Sequence, residues 1–364
     1  MTHVSHETDA ASAAPPPSLT LDEPVQRRRL ADSRPTTLGG RLRETLYYMR
    51  GRGALEIGLI YALMLAVFVV WSLVDPLGFP FLSSNNLSGV VTQSVPVLAI
   101  LAIGVGMLMV TGEFDLSVGF VLSFAGIVFI KLAQSHDWVV AALLTVAVAI
   151  AATTANGLIV VYTRIPSFVA TLGMSFVWKG AGIAVNGTAP AYLAGADPTF
   201  VKTFAGDFGF FRAQILWMIL LGVVAFGILQ RHRVGNRLYA VGGNAGAAKA
   251  VSIKPDRMRM FAYAFLGLCV GLAAILVVAR TSTMQPTTTE EYTLLAVAAA
   301  VVGGCALDGG RGTVIGMIVG AALIRTTENA LILANAPGLY VQAFFGISIV
   351  VAAVINKYVE ERAQ

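Results

Sequence analysis

Hydrophobic positions along this chain come in long runs, without the alternation or single-faced stripes of a water-soluble core. Such runs fall at about Leu55–Val74, Leu87–Val110, Leu116–Ala133, Trp138–Val161, Ser167–Val185, Arg212–Leu229, Met258–Ala279, Tyr292–Val302, Thr313–Leu331 and Leu339–Ile355. About twenty apolar helical residues cross the hydrocarbon layer of a bilayer. Within that layer a helix satisfies its own backbone donors and acceptors, which an open strand does not. The pattern predicts an all-α polytopic membrane protein of about ten transmembrane helices. The eighth run is short unless extended through its glycines.

Polar stretches between the runs set the orientation. The connection Arg231–Arg259 holds seven basic residues and one acid, Asp256, and short basic loops stay in the cytoplasm. Ten spans then put both termini and Arg164 on that side, while Asn186–Phe211, poor in base, faces out. Trp71, Trp138 and Trp217 fall at outward ends, where indoles collect near headgroups. Residues 1–54 read differently: Pro15–Pro17, few large apolar groups, then eight arginines from Arg27 to Arg52. A segment that buries so little apolar surface does not offset its ordering entropy, so it reads as a disordered basic cytoplasmic tail. It lacks the layout of a secretory signal, which makes the first span an uncleaved anchor. Residues 55–357 form the transmembrane domain, with 231–257 as its cytoplasmic loop, and 358–364 are a short cytoplasmic tail.

Composition agrees with the bilayer as solvent. Apolar residues make up 56% and charged residues 12%, and the mean hydropathy is +0.75; too little polar surface remains to cover a soluble core. The net charge of +5 follows from the loops, and no nucleic-acid module is present. Cys269 and Cys305 lie in apolar runs without metal-ligand spacing and read as packing residues. No glycine-Lys-Ser/Thr sequence provides a phosphate loop, and no relay of buried carboxylates or catalytic cluster stands out.

Interruptions of the runs carry more information than the runs. Gln93-Ser94-Val95-Pro96 breaks the second, and VTGEFDLSVGF follows from Val110 to Phe120. There Gly112 and Gly119 permit backbone turns, and Asp115 is placed to accept free amide protons of the next helix. Irregular backbone at such depth needs cover from protein or a watery cavity. It reads either as a capped turn or as a gate at the inner mouth of a pathway. A similar device recurs at VVGGCALDGGRGTVIG, Val301 to Gly316, with Gly303, Gly304, Gly309 and Gly310. Gly312, Gly316 and Gly320 then form a stripe that lets helices approach closely; Arg325 and Glu328, three apart on the opposite side, are close enough to pair.

In the basic loop, Gly242, Gly243 and Asn244 predict a turn into a short helix of small side chains, Ala245–Ser252, able to sit in another protein's groove. The chain then reads as the membrane half of a machine driven by a separate polypeptide. Polar residues within spans, Gln93, Ser94, Asn156, Thr171, Ser175, Thr327 and Asn329, either bond helix to helix or line a solute path. Trp178 is likewise packing or a cavity wall.

From Asn85 to Lys357 these residues resemble the permease subunits of bacterial ATP-binding-cassette importers for ribose, xylose and similar monosaccharides, a type II-like permease fold. TGEFDLSVG at Thr111–Gly119 is similar to the family's TGGIDLSVG, NGLIVVYTRIPSFVATLGM at Asn156–Met174 to NGLLVAKLRIPPFIATLGT, and AVGGNAGAAKAVSI at Ala240–Ile253 to AIGGNEEAARLSGI. Gln285-Pro286, Val301–Gly312 and Asn329-Ala330-Leu331 complete the order. The resemblance implies a second permease copy, two cytoplasmic ATP-binding-cassette subunits carrying ATP and Mg, an extracytoplasmic sugar-binding protein, and no cofactor in this chain, which sits in the bacterial inner membrane. Gly242, Gly243, Asn244, Ala247, Ala248 and Ile253 would form the coupling segment. Glu113-Phe114 stand where the family has Gly-Ile, which leaves the cargo open to a polyol. An ion-coupled secondary transporter or channel for a small polar solute is the alternative.

Overall fold

The computed structural model describes residues 54–287 and 289–340, with isolated positions further on. The tail expected over residues 1–54 lies outside these residues apart from its last position. So do most of the run Leu339–Ile355 and the tail at 358–364.

Helices dominate the described residues. In order they are α1 (Ala54–Val74), α2 (Ser84–Gly89), a π-helical turn π1 (Val90–Ser94), α3 (Val95–Val110), α4 (Val118–Ala133), α5 (Trp138–Thr163) and α6 (Ser167–Asn186). Then come α7 (Pro198–Ala205), α8 (Ala213–Phe226), a second π-helical turn π2 (Gly227–Arg231), α9 (Arg233–Gly243) and α10 (Ala245–Ala250). The series ends with α11 (Pro255–Thr281), α12 (Glu291–Val302) and α13 (Val314–Leu333). Six of the described helical segments are long and apolar enough to cross a membrane: Ser84–Val110, Trp138–Thr163, Ser167–Asn186, Ala213–Arg231, Pro255–Thr281 and Val314–Leu333. Gly58–Val74, Val118–Ala133 and Glu291–Val302 are apolar but shorter.

Local chemistry explains the boundaries. Asp137 caps α5 by accepting the Val139 amide at 2.8 Å. The helix ends at Arg164 in left-handed conformation, two residues before Pro166, which cannot extend it. Lys254-Pro255 opens α11 in the same manner, with proline in the first turn.

α3 is the axis of the molecule. Every residue from Val95 to Val110 is buried, and α8, α11, α12 and α13 pack around it. The densest pairing joins α5 to α11, where Gly267 and Gly271 remove bulk from the seam. A methyl group on Gly267 would stand 2.5 Å from the Ile150 Cα, so only glycine allows this approach. Gly316 and Gly320 do the same between α13 and α12: a Cβ there would lie 2.0 Å from the Gly303 carbonyl and 2.1 Å from that of Ala299. Large apolar side chains on the outer faces, such as Leu63, Leu143, Phe176 and Val223, are exposed, as a hydrocarbon solvent permits.

At the end remote from α9 and α10 the chain builds structure that its apolar pattern does not announce. Asp197 caps α7 and Pro198 starts it; its Phe200 and Phe204 stack with Phe129 and Trp217 and lie against Trp138. Two short antiparallel ladders flank this helix. β1 (Ala191–Tyr192) pairs with β4 (Thr283–Met284), and β2 (Asp207–Phe208) with β3 (Phe211–Arg212).

Candidate functional site

Three segments that are distant in sequence meet at one end of α3, and all three are built of glycine. Val110, the last residue of α3, accepts a hydrogen bond from the Gly310 amide at 2.9 Å. Gly242, near the end of α9, packs against both: an added Cβ would lie 1.9 Å from the Val110 carbonyl oxygen and 2.5 Å from the Gly310 nitrogen. A Cβ on Gly309 would meet the Gly112 nitrogen at 2.8 Å. Gly309 and Gly310 also hold φ of +88° and +72°, which side-chain-bearing residues rarely adopt. Two different demands therefore select glycine, backbone conformation in the 303–312 turn and absence of a side chain at Gly242. Gly112 (φ +83°) and Gly304 (φ +88°) turn the chain in the same sense, while Gly303 keeps negative φ as the cap of α12.

α9 differs from the turn predicted at Gly242-Gly243, because helix continues through both glycines. Gly235, Leu238 and Val241, three apart, form its buried stripe, and the Tyr239 hydroxyl donates to the Gly312 carbonyl at 2.6 Å. Asn244, with extended backbone, closes α9 and caps α10 by accepting the Ala247 amide at 2.9 Å. The Ile253 amide returns to the Ala248 carbonyl at 3.0 Å, so the stretch expected to form the coupling segment folds back as one compact knob. Its two alanines separate: Ala247 is exposed and Ala248 is 3% exposed. Val251, which sequence reasoning did not single out, stands 71% exposed beside Ala247. Its position at the end of a short helix among small residues was the available signal.

The loop joining α3 to α4 is clamped from four helices. Asp115 is fully buried; its Oδ1 accepts the Ser117 amide at 2.8 Å and hydroxyl at 2.6 Å, and its Oδ2 accepts the Asn156 amide group at 2.9 Å. Burial pushes the Asp115 carboxyl above the ordinary carboxylate range, against hydrogen bonds from Asn156 and Ser117 that favour its charged form. The Phe114 and Leu116 amides donate to Ser167 and Thr171 of α6 at 3.0 and 2.9 Å, and Tyr263 of α11 donates to the Phe114 carbonyl at 3.2 Å. Gly119 donates to Thr293 of α12 at 2.8 Å. Glu113, which stands where the resembled family has glycine, lies 2.8 Å from Arg259 Nε. That N–H is not aligned for a hydrogen bond, so the contact is an ion pair, and it ties this loop to the first turns of α11.

These contacts also place the polar residues picked out in the spans. Asn156 is fully buried between Asp115, Ser117 and the Trp178 indole, which donates to it at 3.1 Å. Thr171 also donates to the Ser167 carbonyl at 2.8 Å, and Ser175 donates to that of Leu172 at 2.6 Å. Thr327 is directed to the Leu323 carbonyl and to Met64, and Asn329 exchanges amide hydrogen bonds with Asn86 at 2.8 and 3.1 Å. Gln93 and Ser94 differ: both lie half-buried in π1, and no side-chain hydrogen bond joins them to another described residue. Arg325 and Glu328 pair at 2.5 Å, with the guanidinium 4.9 Å from the Tyr292 ring centre.

Long apolar helices packed around a buried axis, with one compact exposed knob wired to the axis by backbone contacts, define a multi-pass helical membrane protein. Comparison with known proteins carries this further. Residues 86–353 match the family described as the branched-chain amino acid transport system permease component, and the chain belongs to that family. It is 30% identical over 294 residues to the ribose import permease protein RbsC of Bacillus subtilis, covering 80% of this chain and 91% of the relative. It is 31% identical over 304 residues to RbsC of Escherichia coli K12, covering 80% and 92%. With the L-arabinose ABC transporter permease protein AraH of Azospirillum brasilense it shares 30% over 302 residues, covering 82% and 87%. No solved structure matches.

Proposed function

We propose that this chain is the transmembrane permease subunit of a bacterial inner-membrane ATP-binding-cassette importer for a monosaccharide or related polyol. It pairs with a second permease copy and takes solute from an extracytoplasmic binding protein. ATP and Mg bind the cytoplasmic partner subunits. The observation that carries this reading is the contact of Gly242 with both Val110 and Gly310, supported by relatives named for ribose and L-arabinose. Closure of the ATPase subunits pushes α10 and α9. With no side chain between the three backbones, the displacement passes directly to the end of α3 and to the turn that begins α13. Gly112, Asp115 and Gly119 with Gly303, Gly304, Gly309 and Gly310 form the gate, and the solute path runs past Gln93 and Ser94 of π1. π-helical turns inside α-helices recur at functional sites.

The docking face consists of Asn244, Ala247 and Val251. Replacing exposed Ala247 with tryptophan leaves membrane insertion and thermal stability unchanged and uncouples ATP hydrolysis from uptake, so that little solute moves per ATP hydrolysed, measured with the partner subunits in proteoliposomes. Coupled uptake at the wild-type ratio would remove the knob from the mechanism. Uptake that persists without the ATPase subunits would favour an ion-coupled transporter or channel instead.

A further inference from the structure

Gln214, in the first turn of α8, is fully buried, and neither its amide nitrogen nor its carbonyl oxygen has a hydrogen-bond partner among the described residues. A buried amide left unpaired is less stable than an apolar side chain of the same shape, so nothing in the packing accounts for glutamine here. Its surroundings point to a ligand. α8 packs against π1 and α3, and the Arg212 amide donates to Thr92 of π1 at 3.1 Å. The Ser88 hydroxyl, just before π1, donates to the Phe210 carbonyl at 2.7 Å. The start of α8 is therefore held beside the turn that carries Gln93 and Ser94, the half-buried pair without side-chain hydrogen bonds to other described residues.

We propose that Gln214 is a solute-binding residue of the pathway, taking the hydroxyls of a neutral polyhydroxylated solute together with Gln93 and Ser94. A primary amide has two N–H donors and two carbonyl lone pairs, and each hydroxyl of such a solute both donates and accepts. A neutral amide suits a step that must bind weakly and release, where a charged side chain so fully buried would carry a heavy desolvation cost. The proposal rests on the permease reading above.

The test compares wild type, Gln214→Leu and Gln214→Asn in the full chain. Thermal unfolding is measured in detergent, and uptake of radiolabelled ribose, arabinose and ribitol is measured in proteoliposomes with the ATPase subunits and binding protein. Gln214→Leu is expected to unfold at the same or a higher temperature, while uptake below saturation falls by about tenfold, the effect of losing a buried hydrogen-bonding group. ATP hydrolysis stimulated by the loaded binding protein should persist, and Gln214→Asn should recover part of the uptake. A lower unfolding temperature for Gln214→Leu would make the amide a structural group and overturn the proposal. Unchanged uptake by a Leu variant of equal or greater stability would overturn it as well. Failure of the wild-type complex to move any of the three solutes would instead sink the monosaccharide and polyol reading of its cargo, and this proposal with it.

Discussion

At the scale of single residues, glycine at 242 and glycine at 243 answer different questions although they are neighbours. A Cβ on Gly242 would overlap the Val110 carbonyl at 1.9 Å, whereas one on Gly243 meets nothing within 4 Å. Overpacking against fixed backbone costs about 1–3 kcal/mol. Gly242→Ala is therefore expected to lower stability by about 2 kcal/mol in detergent unfolding, and Gly243→Ala to leave it nearly unchanged. Equal effects of the two substitutions would mean that the three backbones do not touch as described. Asp115 illustrates how far residue-scale reading of the sequence reached. Its place before a helix suggested an acceptor for that helix's free amide protons; it takes instead the amide of Ser117, the residue just before α4, which itself makes no side-chain cap. Its bond to Asn156, 41 positions away, was not legible, because nothing local links α5 to that loop.

At the scale of elements, the α3–α4 loop and the knob around α10 share a second physical tie. The Glu113–Arg259 ion pair joins the α3–α4 loop to α11, which follows α10 after a short link, and so adds a side-chain tie to the glycine contacts. Both partners are mostly buried, so loss of one leaves a partly desolvated charge. Glu113→Gln and Arg259→Gln are each expected to reduce the solute moved per ATP hydrolysed, and the double reversal Glu113→Arg with Arg259→Glu to restore most of it. The interaction derived from that cycle should be on the order of 1 kcal/mol. Strictly additive losses, with no recovery in the reversed pair, would show that the two residues act separately. The span residues teach the complementary point: a polar side chain in an apolar run signals a hydrogen bond, but not its partner. Asn156, Thr171 and Asn329 bond to loops and helices of the protein itself.

For the whole molecule, orientation is the property most open to direct measurement. The basic connection and the segment Asn186–Arg212 lie at opposite ends of the long apolar helices, and the positive-inside rule assigns the former to the cytoplasm. With buried Cys269 and Cys305 replaced by alanine, a single cysteine at exposed Lys249 should react with an impermeant maleimide only after the membrane is opened. One at exposed Asp207 should react in intact spheroplasts. The reverse pattern would invert the topology and place the knob out of reach of any cytoplasmic motor.

Run length, loop charge and the order of short motifs were enough to establish a polytopic helical membrane protein of this family, because the bilayer imposes its constraint on each segment independently. The same holds for the short helix after Asn244 and for the pairing of Arg325 with Glu328, both set by spacing along a few turns. The tertiary structure alone decided that the turns at Gly112 and Gly309-Gly310 and the helical Gly242 form a single joint, that α7 closes the far end with its phenylalanines, and that Gln214 is buried without a hydrogen-bond partner among the described residues. Those outcomes depend on which surfaces meet across more than a hundred residues. Glycine and glutamine carry no local mark of the neighbour they will face.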